Sequence, residues 1–153
     1  MTRFRRVAAS ALLLLFLLPL FLTSELWAFS ASASQLFHQG PFAFKVEISL
    51  SGNGSLKRTN PLPITSLKIR MKNEKASSEV LKVKAIRLYT TPSVFRDIET
   101  REFSVSPGQW VTKYFRLRKE VRPILGEKGY IEVTFENFSI QFDPRERKFQ
   151  GPV

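Results

Sequence analysis

Short segments in which apolar and polar residues alternate are the feature that most constrains the fold of this chain. In the first of them, residues 42–50, Lys45, Glu47 and Ser49 stand between apolar neighbours. The same alternation continues through residues 67–72 and 81–85. A period of two places the apolar residues on one face of a β-strand and the polar residues on the other. The pattern therefore predicts strands with one buried face each.

Turn-forming residues separate the predicted strands. Residues 51–55, 60–63 and 126–129 are rich in Gly, Pro, Asn and Ser, and Pro107 precedes Gly108 as in a type II turn. Further strands are expected in 94–98, 102–105, 110–117 and 130–143. After residue 35 only residues 94–103 offer an alternative, a short helix. About seven short strands with regular turns indicate an all-β, antiparallel sandwich of immunoglobulin-like or fibronectin-III-like type.

The alternation changes phase at two places. Ile86 and Leu88 fall out of step with the apolar positions before Ala85, which predicts a β-bulge near that residue. A second change occurs at Glu136 and Asn137, where a bulge or a crossing between sheets would keep both apolar sets buried. We also expect the second and third strands, residues 67–72 and 81–88, to form a hairpin.

Three sequence runs resemble the Ig-like domains of exported bacterial proteins. KIRMKN ends a strand at Asn73, FSVSPGQWVTKYFRL introduces a later strand by a Pro-Gly turn, and GYIEVTFEN begins the last strand. The resemblance covers residues 42–143 and is to a generic fold, not to a specific family. It implies a fold without implying a function, because such a superfold serves many unrelated functions.

The N-terminus has the order of a secretory signal. Arg3, Arg5 and Arg6 precede the apolar residues 7–22, which predict a hydrophobic helix. Small residues follow, and Ala31, Ser32 and Ala33 are the preferred match to a peptidase site, with cleavage after Ala33. We expect a signal peptide or signal-anchor at 1–33, a linker at 34–41, the sandwich at 42–143 and a basic tail at 144–153.

Retention in the membrane is the alternative to cleavage. The uncharged residues 7–24 reach the lower limit for a spanning helix, although Pro19 would interrupt it. The eleven residues that follow Leu22, up to Ala33, are long for the segment before a cleavage site, and residues 26–29 could anchor at the interface. Both readings place the chain outside the cytoplasm, either periplasmic or secreted, or held at the inner membrane. Cysteine is absent, so neither disulfides nor a lipoprotein-type anchor are expected.

Basic residues are the most informative candidates for binding. The formal net charge is +11, and about +9 remains without the leader. The predicted hairpin would bring five cations to one outer face: Lys68, Arg70, Lys72, Lys82 and Lys84. Like charges on neighbouring strands repel. Either Glu132, Glu136 and solvation compensate, or an anionic partner does: a lipid headgroup, an acidic envelope polysaccharide or an acidic protein. A second basic cluster is expected at Arg116, Arg118, Lys119 and Arg122.

The sequence offers poor material for catalysis. His38 is the only histidine and is expected to be a solvated linker residue. Glu132 and Glu136 are expected to project toward solvent and offset nearby lysines. Neither zinc-type nor calcium-type ligand spacing occurs, so catalytic, cofactor and metal sites are not expected. Export and the lack of an aromatic-basic RNA motif argue against nucleic acid.

The function expected from the sequence is that of an exported, non-enzymatic β-sandwich that binds or assembles in the cell envelope. Two alternatives stay open. One is a single-span membrane subunit whose uncleaved N-terminal helix assembles with partners through residues 7–24. The other is an enzyme of unrecognised type, which would use Asp, Glu, Tyr or Ser.

Overall fold

Eleven β-strands make up the regular structure of residues 28–57, 61–74, 78–117 and 123–151, which a computed structural model describes. The predicted N-terminal helix lies outside these residues. Within them, no helix has the length and apolar character needed to cross a membrane. The strands are β1 (Ala28–Gln39), β2 (Phe42–Asn53), β3 (Leu62–Asn73), β4 (Leu81–Thr91), β5 (Val94–Glu99), β6 (Phe103–Val105), β7 (Trp110–Arg116), β8 (Ile124–Leu125), β9 (Tyr130–Phe135), β10 (Ser139–Asp143) and β11 (Lys148–Gln150).

The strands form two sheets in which neighbouring strands are antiparallel. Sheet one has the order β1-β2-β3-β7, and β8 also pairs with the start of β3. Sheet two has the order β11-β10-β9-β4-β5, and β6 also pairs with β4. The prediction of an all-β fold with antiparallel sheets is confirmed, with eleven strands described where about seven were expected.

The apolar faces of the two sheets pack against each other, giving a β-sandwich-like arrangement. Phe44 on sheet one meets Phe135 on sheet two with ring centroids 5.1 Å apart. Ile48 and Ile69 of sheet one and Val133 of sheet two belong to the same buried cluster. Burial of alternate residues along strands such as β2, β3 and β9 provides the main stabilisation, as expected for a chain without disulfides.

The predicted hairpin between the second and third strands is wrong. β3 pairs with β2 along one edge and with β7 along the other, so neither edge is left for β4. The chain instead crosses to sheet two, where β4 pairs with β9 on one side and with β5 and β6 on the other. Two strands that are consecutive in the sequence therefore lie in different sheets.

Both ends of the predicted domain are longer than expected. Residues 34–39, predicted as a linker, are the second half of β1, which pairs with β2 from Ala28 opposite Asn53 to Gln39 opposite Phe42. The predicted basic tail contains β11, which pairs with β10. The sequence patterns that would predict β1 and β11 are weak. β1 consists mostly of small and uncharged residues, and β11 has only three residues.

The two phase changes have different causes. The bulge near Ala85 is confirmed by a register shift between Val83 and Ala85 in the pairing of β4 with β9. The second change is neither a bulge nor a crossing, because the chain reverses between β9 and β10 within one sheet. Reversal returns Ile140 and Phe142 to the buried face. Residues 94–99 are a strand, so the alternative of a short helix there is wrong.

Candidate anion-binding face

The five cations predicted to share one face lie on two sheets. Lys68, Arg70 and Lys72 project from the outer side of β3 in sheet one, whereas Lys82 and Lys84 belong to β4 in sheet two. The shared face required the β3–β4 hairpin, which does not form. The prediction of one continuous patch is therefore wrong, and whether any of these residues binds an anion stays a prediction.

Sheet one brings other residues beside its three predicted cations. Register places Trp110 of β7 opposite Lys72, Tyr114 opposite Lys68 and Arg116 opposite Ser66. On the other side of β3, Lys45 of β2 stands opposite Lys72. We call this surface the basic face, and it consists of Lys45, Lys68, Arg70, Lys72, Trp110, Tyr114 and Arg116.

Two exposed aromatic side chains lie among these cations. The guanidinium carbon of Arg70 is 4.5 Å from the centroid of the Trp110 ring, and the Lys45 ammonium is 5.9 Å from it. Both distances suit cation–π attraction, which holds the indole on the sheet. Trp110 is 39% exposed and Tyr114 is 63% exposed. The rings thus present apolar area to solvent between positive charges.

Carboxylates neutralise only part of the basic face. Glu47 is 2.9 Å from Arg70 and 3.2 Å from Lys45, while Glu74 is 3.3 Å from Lys72. Among the described residues, no carboxylate oxygen comes within 4.0 Å of Lys68 or Arg116. The five cations of the basic face are therefore paired with only two of the described carboxylates, those of Glu47 and Glu74. Exposed pairs are worth about 1 kcal/mol or less, so they moderate the surface potential more than they stabilise the fold.

The outer side of sheet two differs in charge balance. Three cations of β4 each have a carboxylate partner: Lys82 with Glu136 at 3.8 Å, Lys84 with Glu102 at 2.8 Å and Arg87 with Asp97 at 2.9 Å. The hydrogen bond to Glu102 raises the pKa of Lys84. Compensation by Glu136 is as predicted from the sequence. The part of this surface formed by β4 therefore offers little uncompensated positive charge.

Glu132 has partners other than the expected lysines. Its carboxylate accepts hydrogen bonds from the Tyr89 hydroxyl and the Thr134 hydroxyl, each 3.3 Å away, and from the Gln141 amide at 3.4 Å. Tyr89 stacks on Tyr130 with centroids 4.5 Å apart. Burial raises the pKa of the Tyr130 phenol, and the nearby Tyr89 and Glu132 add to this effect. The group is a polar network on the surface of sheet two.

The single histidine is an exposed residue of the first strand. His38 lies near the end of β1, is exposed and stands opposite Ala43 of β2. It is therefore a strand residue and not the linker residue that the sequence suggested. In the described parts of the chain, His, Asp and Glu side chains do not gather in groups of three or more that could hold a metal ion.

Comparison with protein-family models, with curated proteins and with solved structures gives no match to this chain. The assignment of a function consequently depends on the geometry and charge of the surfaces described above.

Sequence reasoning missed four members of the basic face. Lys45, Trp110 and Tyr114 carried no prediction as binding residues, and Arg116 was assigned to a separate cluster. The sequence pattern that could have indicated three of them is the alternation in β7, which places Trp110, Tyr114 and Arg116 on the same side of the strand. Nothing local in the sequence indicates that β7 pairs with β3.

Proposed function

We propose that this chain is a non-enzymatic, Ig-like β-sandwich module that is exported to the cell envelope and docks on an anionic lipid surface through its basic face. The observation that carries the proposal is the surplus of cations on sheet one, where Lys68 and Arg116 have no carboxylate beside them among the described residues. An uncompensated positive surface attracts anionic partners and raises their local concentration.

The aromatic residues favour a lipid surface over other anionic partners. Trp and Tyr have an apolar body and a polar tip, which suits the headgroup region of a membrane. Trp110 and Tyr114 present such side chains on the outer side of a sheet, with Lys68 and Arg70 beside them. Each Lys or Arg near an anionic membrane contributes about 1 kcal/mol to binding. Acidic polysaccharide has no apolar layer in which these rings could insert.

Neutralising the two unpaired cations should weaken binding to anionic vesicles. For the double variant Lys68→Gln, Arg116→Gln, the loss of two contributions of about 1 kcal/mol predicts roughly thirtyfold weaker binding. Binding is measured by co-sedimentation with vesicles of mixed anionic and zwitterionic lipid, and with purely zwitterionic vesicles. Raising the salt concentration should weaken binding of the unmodified chain, because salt screens exposed charges.

The matched control is Lys82→Gln, Lys84→Gln, which removes the same charge from sheet two. Because charges beyond a Debye length of about 8 Å are largely screened at physiological salt, we expect a change of less than about threefold. Equal losses in both double variants would show that overall charge, and not the basic face, drives binding. Salt-dependent binding to acidic polysaccharide without binding to vesicles would contradict the choice of lipid.

A further inference from the structure

The first strand of the sandwich begins six positions after the last residue of the apolar N-terminal segment. β1 starts at Ala28, whereas the apolar residues end at Leu22. Phe29 and Ala31, the second and fourth residues of the strand, are 6% and 1% exposed. These residues belong to the core of the sandwich, although the sequence suggested that they would be removed with the leader.

The ring of Phe29 occupies space that the opposite strand leaves for it. Phe29 stands opposite Gly52 of β2, and a Cβ atom at Gly52 would lie 2.5 Å from Cε1 of Phe29. The same Cβ would lie 2.1 Å from the carbonyl oxygen of Pro63. Only glycine fits between the Phe29 ring and the Pro63 carbonyl, and the Phe29 ring covers Gly52. Removal of Phe29 would uncover this part of the core.

The small residues that resemble a peptidase site have a packing role. Ala31 stands opposite Leu50 and Ala33 opposite Ile48, and both alanines contact the core cluster. Cleavage after Ala33 would leave only Ser34–Gln39 of the twelve residues of β1. It would also expose the edge of β2 from Ile48 to Asn53, which pairs with the removed half.

We propose that the leader is removed by hydrolysis of the Ala28–Phe29 peptide bond, so that Phe29 becomes the mature N-terminus. A membrane-bound signal peptidase adds water across the amide, which leaves a carboxyl group on Ala28 and an α-ammonium on Phe29. Ala28 supplies the small residue directly before the bond, whereas Leu26 occupies the third position before it, where an A-x-A site has a small residue. Ala28 lies six positions after Leu22, compared with eleven for Ala33. This position preserves every buried side chain of β1.

The inference depends on export, which is part of the proposed function, and the intact mass of the chain tests it. The full-length chain is expressed in a bacterial host and the cells are fractionated. The intact mass of the exported form is then measured by mass spectrometry. We expect one species that begins at Phe29. A start at any residue from Ser30 to Ser34, or an uncleaved chain in the membrane, would overturn the processing site while leaving export intact. An unprocessed cytoplasmic chain would overturn both.

Two variants separate a cleavage site from a packing position. Ala28→Tyr places a large residue before the proposed bond, and Ala28 is exposed, so the fold should tolerate it. The ratio of precursor to mature chain should rise at least tenfold. Ala33→Val disrupts the alternative cleavage site after position 33 with a residue that suits a β-strand. Processing at Phe29 should therefore continue unchanged. Normal processing of Ala28→Tyr, or a block in Ala33→Val, would contradict the proposal.

Discussion

Replacement of Phe44 by alanine should lower the free energy of unfolding by about 3 to 5 kcal/mol, the range for removal of a buried aromatic side chain. Phe44 is 0% exposed. Its ring lies 5.3 Å from that of Phe37, 5.1 Å from Phe135 and 5.5 Å from Phe138. The substitution would leave a cavity where the two sheets meet, because its neighbours belong to both of them. Urea denaturation followed by circular dichroism measures the loss.

The control for this prediction is Phe95→Ala, which removes a ring of the same size from β5. Phe95 is 47% exposed and contacts Tyr89 and Arg87 at the surface of sheet two. We expect its loss to cost no more than about 1 kcal/mol, since it opens no cavity. Similar losses in the two variants would contradict the assignment of Phe44 to a shared core.

Replacement of Asn73 by alanine should lower the free energy of unfolding by about 2 to 4 kcal/mol. Leaving the buried Val105 carbonyl without this donor costs about 1 to 3 kcal/mol, and losing the part-buried hydrogen bond to the Glu79 carbonyl costs about 1 kcal/mol more. Asn73 is 0% exposed and is the last residue of β3. Its side-chain amide donates to the carbonyl of Glu79 at 2.7 Å and to that of Val105 at 3.0 Å. The side chain thus joins the end of sheet one to β6 of sheet two. Urea denaturation followed by tryptophan fluorescence measures the loss.

Two further variants distinguish hydrogen bonding from volume at this position. Asn73→Asp keeps the size of the side chain but replaces the donor by a carboxylate facing two carbonyl oxygens, so at neutral pH it should destabilise more than alanine does. Asn137→Ala removes an exposed asparagine from the turn between β9 and β10 and should change stability by about 0.5 kcal/mol or less. A milder effect of aspartate than of alanine at position 73 would contradict the role of the amide donor.

Much of the secondary structure could be predicted because its causes are local. Alternation located β2, β3 and the first part of β4, and the phase change located the bulge near Ala85. The expected type II turn is also present, since Gly108 has φ of 74° and the amide of Gln109 donates to the carbonyl of Ser106 at 3.1 Å. A turn and an alternating strand each depend on a few consecutive residues.

The candidate site could be predicted only in part. Lys68, Arg70 and Lys72 do share the outer side of one strand, as their spacing indicates. The prediction placed Lys82 and Lys84 on the same face because it assumed that two strands consecutive in the sequence pair as a hairpin. That assumption fails because β2 and β7 already occupy both edges of β3. The same non-local pairing supplies Trp110, Tyr114 and Arg116, which no property of residues 67–72 could indicate.

By itself, the sequence determined that the described chain is all-β, where most of its strands lie and which side of the alternating strands is apolar. Only the tertiary structure decided which strands are neighbours, and therefore which charges share a surface. Lys68 lies beside Tyr114, forty-six positions away in the chain, but on a different sheet from Lys82, fourteen positions away. The tertiary structure also placed Phe29 and Ala31 in the core. The physical reason is that side-chain alternation is a property of one strand, whereas pairing depends on how all strands together bury their apolar faces and satisfy their backbone hydrogen bonds.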